Sequence, residues 1–171
     1  MSSYFSAVQP SDGQSEESHP DAFVREGPLR PTIMVIDDSA AVRTVIQIAF
    51  RRVGVEVAAF EDGISAMKAL TREEVPVPSV LLLDLGLPRM NGYEVATLFR
   101  AHDAFKQTIL LMLTARDGVI DRVRSKMVGA QGYITKPFRV ASVVQEVFGY
   151  LNLRVPTQGA EGYSGVSAPL R

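Results

Sequence analysis

Between residues 31 and 152, short apolar runs alternate with longer stretches that have helical periodicity. The runs read TIMVID, VEVAAF, SVLLLD, TILLML and GYIT. Three of these runs are almost unbroken, which is typical of parallel strands covered on both faces. Five strand-helix units in succession predict an α/β fold, in which an open, doubly wound sheet of five parallel strands carries helices on both faces.

The stretches between the runs place apolar side chains on one helical face. In the first stretch this stripe consists of Val42, Val45, Ile46, Ala49, Phe50 and Val53. Helices are predicted over residues 40–53, 62–73, 91–102, 117–128 and 140–151. Asn91 and Asp117 are the expected N-caps of the third and fourth helices. The methionines next to these elements are predicted to fill the core, namely Met34, Met67, Met90, Met112 and Met127.

The segments on either side lack this periodicity. Residues 1–30 are rich in Ser, Pro and Gly, carry five acidic and two basic side chains, and are predicted to form a disordered acidic arm. Residues 153–171 are rich in Gly, Pro, Ser and Ala, which predicts a flexible tail that is too short to fold alone. The folded domain is therefore expected to span residues 31–152.

Composition excludes several classes of protein. The chain has no cysteine, so disulfide frameworks, thiolate metal sites and cysteine nucleophiles are ruled out. A formal net charge of -1 gives no reason to expect a nucleic acid or a membrane surface as partner. The N-terminus has no signal-peptide pattern and no apolar stretch approaches the ~18 residues of a membrane span, so a cytoplasmic location is expected.

Polar side chains follow four of the predicted strands at their carboxyl ends. They are Asp37 and Asp38, Asp84, Thr114 and Lys136. Because ligands of open α/β sheets bind beyond the carboxyl ends of the strands, these side chains are expected to converge on one site. Clustered carboxylates favour a hard cation such as Mg²⁺, while an ammonium and a hydroxyl bind oxyanions. The set predicts a site that handles a phosphoryl group.

Asp84 is the most unusual of these residues, because it ends the run VLLLD. An ionised carboxylate at the end of a buried strand is costly unless another group pairs with it. The following residues, 85–90, form a proline-containing turn, which argues against Asp84 as a helix cap. Asp37 and Asp38 stay open to that second interpretation, since either of them, with Ser39, would suit the N-cap of the first helix.

Four motifs in this order, VIDDS, LLLDLGLPRMNGYE, LTA and YITKPF, resemble the receiver domain of bacterial two-component response regulators. The resemblance covers about residues 32–151 and implies the flavodoxin-like strand order 2-1-3-4-5. The stretch ARDGVIDRVRSKMVGAQGYITKPF is similar to the single-domain receivers of type IV pilus and related chemosensory systems.

The resemblance implies a role for each matching acidic residue. Asp84 would be the phosphoacceptor, whose carboxylate takes a phosphoryl group from a phosphohistidine of a partner histidine kinase. Asp38 and Asp84 would bind Mg²⁺ directly and Asp37 would bind it through water. The backbone carbonyl of Gly86 would complete the protein ligands.

Further roles are implied around the acceptor. Lys136 would neutralise one phosphoryl oxygen, Thr114 would hydrogen-bond another, and Tyr133 would be the aromatic switch residue. The peptide bond after Lys136 would be cis. Gly86 and Arg116 stand at the two positions whose side chains control the access of water to the acyl phosphate in this family. Gly86 would leave that access open, whereas Arg116 would cover it. The lifetime of the phosphorylated state is therefore not predicted.

The implied function is a stand-alone receiver, because the 19 residues after the core are too few for a DNA-binding domain. Such a protein would not be an enzyme, and it would signal to an effector protein or pass its phosphoryl group to a histidine phosphotransfer protein. The basic cluster near the fourth helix is interpreted as a solvated face; it consists of Arg116, Arg122, Arg124 and Lys126.

The alternative function is an aspartate-nucleophile phosphatase of the haloacid-dehalogenase type. Enzymes of that type carry a second Asp two residues after the nucleophile, where this chain has Gly86. A flavin-binding module is disfavoured, because no phosphate-binding loop rich in Ser, Thr and Gly follows the first strand.

Overall fold

The computed structural model of the chain describes residues 31–115 and 119–156, with the backbone alone at 119–122. Five strands are described: β1 (Ile33–Ile36), β2 (Val57–Phe60), β3 (Val80–Asp84), β4 (Ile109–Thr114) and β5 (Gly132–Thr135). Helices follow the strands: α1 (Ala40–Arg52), α2 (Gly63–Thr71), α3 (Gly92–Ala101), α4 (Val119–Met127) and α5 (Val140–Tyr150). A short 3-10 helix, Asp103–Phe105, precedes β4.

The five strands form one parallel sheet in the order β2-β1-β3-β4-β5. In its register, Ile36 of β1 lies beside Leu83 of β3, and Thr114 of β4 lies beside Thr135 of β5. The residues at and just after these positions therefore meet along the carboxyl edge of the sheet. The predicted α/β class and the strand order are confirmed.

Apolar side chains cover both faces of the sheet. On one face α1 packs against α5, and Phe50 stacks on Phe148 with 6.5 Å between the ring centroids. On the other face α2 and α3 cover a second cluster, to which they contribute Leu70 and Phe99. Strands β1, β3 and β4 lie between neighbouring strands and beneath helices on both faces, which explains why their apolar runs are almost unbroken.

Local capping signals fix the starts of two helices. The Asn91 side chain accepts hydrogen bonds from the first turn of α3, and the Asn91 backbone N–H donates one to the carboxylate of Glu94 at 2.9 Å. Asp62 caps α2 through the N–H of Ser65 at 2.7 Å. The predicted cap at Asn91 is confirmed, whereas the predicted cap at Asp117 lies outside the described residues.

Arg100, at the end of α3, connects several loops at the edge of the sheet where the strands begin, opposite the carboxyl edge. Its guanidinium donates hydrogen bonds to the backbone carbonyls of Phe105, Thr108 and Gly129 at 2.8 to 3.3 Å. It also donates to the side-chain carbonyl of Gln131 at 3.1 Å. The end of α3, the start of β4 and the loop after α4 are thus joined by one side chain.

Some expectations about the periphery differ from the structure. The sequence predicts Met127 in the core, but 81% of this residue is exposed, because Ser125, on the opposite side of α4, is the residue that is buried. Val155 packs against the α1–α5 core, beyond the expected boundary at residue 152. The expected acidic arm and the tail from residue 157 lie outside the described residues. None of the described helices has the length and apolar character that a membrane crossing needs.

Replacing Gly149 with alanine is expected to stabilise the fold by about 0.5–1 kcal/mol, because glycine is a poor helix former. Gly149 lies within α5, and a Cβ atom built there meets no other atom within 4 Å. Urea denaturation at equilibrium measures the effect. An unchanged or lower unfolding free energy would contradict the expectation.

Candidate functional site

Asp84 is the last residue of β3 and only 5% of its surface is exposed. The four residues before it are completely buried, which fixes its backbone in the middle of the sheet. The carboxylate accepts a hydrogen bond from the backbone N–H of Gly86 to Oδ1 at 3.1 Å. The chain then turns away, so the carboxylate ends at the mouth of a cavity of about 470 Å³.

Gly92 makes the turn after Asp84 possible. It is the first residue of α3, and a Cβ atom built there would overlap the backbone carbonyl oxygen of Asp84 and lie 2.8 Å from Cα of Leu85. Both neighbours are backbone, which has little room to move. Only a residue without a side chain lets α3 begin this close to the end of β3.

Asp37 and Asp38 follow β1, and neither is needed to cap α1, because Ser39 does so. Ser39 is the N-cap of α1, since its hydroxyl accepts the hydrogen bond from the N–H of Val42 at 3.4 Å. Neither aspartate caps the helix, so that alternative is wrong. Asp37 is completely buried and accepts a hydrogen bond from the N–H of Ser39, whereas Asp38 is exposed.

Lys136 follows β5 and connects two of the carboxylates. Its Nζ lies 2.7 Å from Oδ2 of Asp37 and 3.0 Å from Oδ2 of Asp84. Its own backbone N–H donates to the carbonyl of Thr114, and the peptide bond to Pro137 is cis, as the resemblance implies. The ammonium therefore sits where a negatively charged ligand on Asp84 would also meet it.

The charges of this site leave an excess of negative charge. Burial raises the pKa of Asp37, and the charge of Asp84 raises it further, against the hydrogen bonds from Lys136 and Ser39. Burial lowers the pKa of Lys136, but its hydrogen bonds to Asp37 and Asp84, with their charges, outweigh burial, so this pKa is also raised. The pKa of Asp37 is thus raised chiefly because the carboxyl group is buried, and that of Lys136 because two carboxylates contact its ammonium.

The same residues fit a divalent cation. Asp37, Asp38 and Asp84 each place a carboxylate oxygen within 4.8 Å of the others. An all-oxygen set with this spacing is the kind that Mg²⁺, Mn²⁺ or Ca²⁺ binds. Three carboxylates against the one ammonium of Lys136 leave two negative charges, which such an ion would balance.

The other residues predicted for the site are Thr114, Gly86 and Tyr133. Thr114 ends β4, is 1% exposed and lines the cavity together with Asp84 and Lys136. Gly86 is exposed, and a Cβ atom there would lie 3.6 Å from Oδ2 of Asp84, so glycine leaves the carboxylate uncovered. Tyr133 is half-buried and packs against the apolar cluster on the α2–α3 face. The roles of these residues stay predictions.

Of the two residues predicted to gate water, Gly86 lines the cavity, whereas Arg116 lies outside the described residues. Arg124 of α4 is exposed, as the sequence predicts, and it also lines the cavity with Lys136 and Asp84. Helical periodicity gave no signal for this, since the face that α4 turns toward the sheet edge depends on how the helix docks.

Comparison with known proteins gives a family. The model of the response regulator receiver domain matches residues 33–148. Protein PilG of Pseudomonas aeruginosa is 32% identical over 125 residues, which is 73% of this chain and 87% of PilG.

Two further proteins widen the comparison. The transcriptional regulatory protein PrrA of Mycobacterium tuberculosis is 32% identical over 144 residues, or 84% of this chain, which spans 60% of the length of PrrA. The crystal structure of the Mn²⁺-bound form of response regulator Rcp1 superposes with a TM-score of 0.59 and 25% identity, over 82% of this chain and 99% of that one.

Proposed function

We propose, since this chain belongs to the response regulator receiver domain family, that it is a phosphorylation-controlled switch in which Asp84 accepts the phosphoryl group. One observation carries the proposal. The Asp84 carboxylate is held at a cavity mouth, 3.0 Å from the ammonium of Lys136, with no side chain at position 86 to cover it. A nucleophile, a cation for the transferred group and open access are therefore present together.

In the proposed reaction, a carboxylate oxygen of Asp84 attacks the phosphorus of a phosphohistidine on a partner histidine kinase. An O–P bond forms, the P–N bond breaks, and the electron pair of that bond goes to the imidazole nitrogen. Phosphoryl transfer of this kind depends mainly on in-line positioning and on stabilisation of charge. The rigid end of β3 supplies the positioning, and Lys136 supplies part of the charge.

Mg²⁺ is the proposed cofactor. Asp37, Asp38, Asp84 and the backbone carbonyl of Gly86 would hold it, and when bound it would neutralise and orient the phosphoryl oxygens. The three carboxylates that lie within 4.8 Å of one another support this assignment, as does the Mn²⁺ in the related structure of Rcp1.

Thr114 and Tyr133 are proposed to transmit the change. The Thr114 hydroxyl would donate a hydrogen bond to a phosphoryl oxygen, and Tyr133 would respond to this at the neighbouring strand. In the ladder between β4 and β5, Thr114 lies two residues beyond Met112, the partner of Tyr133. A small displacement at the end of β4 would therefore reach the α4–β5 surface.

The proposed partners are a histidine kinase as phosphodonor and a protein that reads the phosphorylated surface. That protein is either an effector or a histidine phosphotransfer protein, which share one mechanism. Such a donor would place the reaction in the cytoplasm. The chain would act without turnover of substrate and without contacting DNA.

Intact-mass spectrometry tests the proposal. The protein is incubated with phosphoramidate or acetyl phosphate and with Mg²⁺, and one added phosphoryl group is expected. Asp84→Asn and a chelator should each abolish the adduct. Asp103→Asn is the matched control, since it removes the same charge at an exposed residue of the 3-10 helix before β4.

The outcomes separate the candidate functions. An adduct that persists in Asp84→Asn would overturn the assignment of the acceptor, and no adduct or beryllofluoride complex at all would overturn the receiver function. Continuous release of phosphate from many esters would favour the phosphatase instead.

Mg²⁺ is expected to stabilise the fold by about 1.4 kcal/mol when the free ion is about tenfold above its dissociation constant, because it binds the folded state alone. Asp38→Asn should reduce this increment, since Asp38 is one of the three clustered carboxylates. Urea denaturation with Mg²⁺ and with chelator measures it. An equal increment in Asp38→Asn and in wild type would place the ion elsewhere.

A further inference from the structure

Arg124 connects the acceptor cavity with a second groove. It lines the cavity that contains Asp84 and Lys136, and it also lines a groove of about 350 Å³ between α3 and α4. Asn91 and Tyr93 likewise line both spaces. The guanidinium therefore lies on α4 at the point where the site opens toward the α3–α4 surface.

No group within the described part of the chain engages this guanidinium. Arg124 is exposed; its backbone carbonyl accepts the helical hydrogen bond from the N–H of Val128, but its guanidinium forms neither a hydrogen bond nor an ion pair with another described residue. By contrast, Lys136 is bound by two carboxylates. An arginine that lines an acidic cavity and has five donors available is suited to a planar oxyanion such as a phosphoryl group.

Phosphorylation of Asp84 would add a negative charge that Arg124 could neutralise. One divalent cation would balance the two negative charges that the three carboxylates and Lys136 leave. Phosphorylation replaces the single charge of Asp84 with about two charges on the acyl phosphate. One negative charge is then left without a partner among these groups. Among the described residues that line the cavity, Arg124 is the second cation beside Lys136.

We propose that Arg124 binds the phosphoryl group on Asp84 and thereby ties α4 to the phosphorylated site. The inference rests on the proposed function, because it needs a phosphoryl group at Asp84. Lys136 holds the carboxylates before and after transfer, whereas Arg124 gains its partner only afterwards. The contact of Arg124 would therefore exist in the phosphorylated state alone, and a contact made in only one of two states is what shifts a switch between them.

The test measures binding of beryllofluoride, a mimic of the phosphoryl group, to the full chain with Mg²⁺. Because the chain has no tryptophan, fluorine NMR or calorimetry is used rather than intrinsic fluorescence. Arg124→Gln is expected to weaken binding about fivefold, as for a charged hydrogen bond that is partly open to solvent. Arg124→Lys should recover part of the loss.

Lys126→Gln is the matched control, because it removes the same charge from an exposed residue of the same helix, two positions further on. Hydrogen exchange of α4 gives a second readout. Beryllofluoride should protect α4 in wild type and in Lys126→Gln but not in Arg124→Gln. Thermal unfolding without ligand should be the same in both variants.

Each outcome bears on the inference. Equal weakening in both variants would indicate long-range charge rather than contact, and no weakening in Arg124→Gln would likewise overturn the proposal. If wild type forms neither the beryllofluoride complex nor the acyl phosphate, the proposed function itself fails. If wild type forms both and Arg124→Gln is unchanged, only the role of Arg124 fails.

Discussion

Replacing Lys136 with methionine is expected to slow the phosphorylation of Asp84 about a hundredfold, the effect of removing one preorganised charge from a transfer site. In this structure Lys136 is the cation that contacts both Asp37 and Asp84, at 2.7 and 3.0 Å. Methionine keeps the length of the apolar stem and removes the charge. Rates of adduct formation with phosphoramidate, followed by intact mass, measure the loss.

The same substitution should also destabilise the protein without metal by about 3 kcal/mol, since it leaves the buried carboxylate of Asp37 without its cation. Mg²⁺ should restore part of this stability but not the rate. Lys126→Met, on the exposed face of α4, is the control for loss of a surface lysine. A variant that is destabilised yet phosphorylated at the wild-type rate would confine Lys136 to a structural role.

Gly92→Ala is expected to lower the unfolding free energy by about 3 kcal/mol, the upper part of the range for overpacking. The new methyl group would overlap the carbonyl oxygen of Asp84, and the atoms next in its way belong to the backbone of Asp84 and Leu85. Neither can rotate aside, so α3 or the end of β3 must move. Equilibrium urea denaturation measures the stability.

A displaced Asp84 should also lose reactivity, so phosphorylation of Gly92→Ala is expected to fall even where the variant is fully folded. Gly149→Ala is the matched control, because the same substitution in α5 meets open space and should stabilise the protein. If Gly92→Ala were as stable and as reactive as wild type, the close approach of α3 to Asp84 would not be a requirement of the site.

The sequence predicts the layered fold and most of the site for two physical reasons. Strands buried on both faces read as unbroken apolar runs, so a charged residue at their ends, such as Asp84, is conspicuous. Parallel strands also bring their carboxyl ends to one edge, which is why Asp37, Asp84 and Lys136 meet there. The order of the strands came from the family resemblance, since periodicity alone leaves several orders possible.

What sequence reasoning missed depends on how helices dock. The periodicity of α4 does not say which of its residues turns toward the cavity, so it gives no sign that the exposed Arg124 also lines the cavity, and it wrongly predicts Met127 in the core. For a similar reason, the sequence does not decide which residue is the N-cap of α1. Ser39 and the two aspartates before it are all good caps, and only the path of the chain decides among them.

The clamp that Arg100 forms has a mechanical consequence for α4. The carbonyl of Gly129 and the side chain of Gln131 fasten the loop after this helix, at the edge of the sheet opposite Asp84. The first turn of α4 lies about 13 Å from this fastened end, at ~1.5 Å per residue. The helix would pivot about the clamp, so a partner that reads its first turn would sense a larger displacement than one that reads Met127.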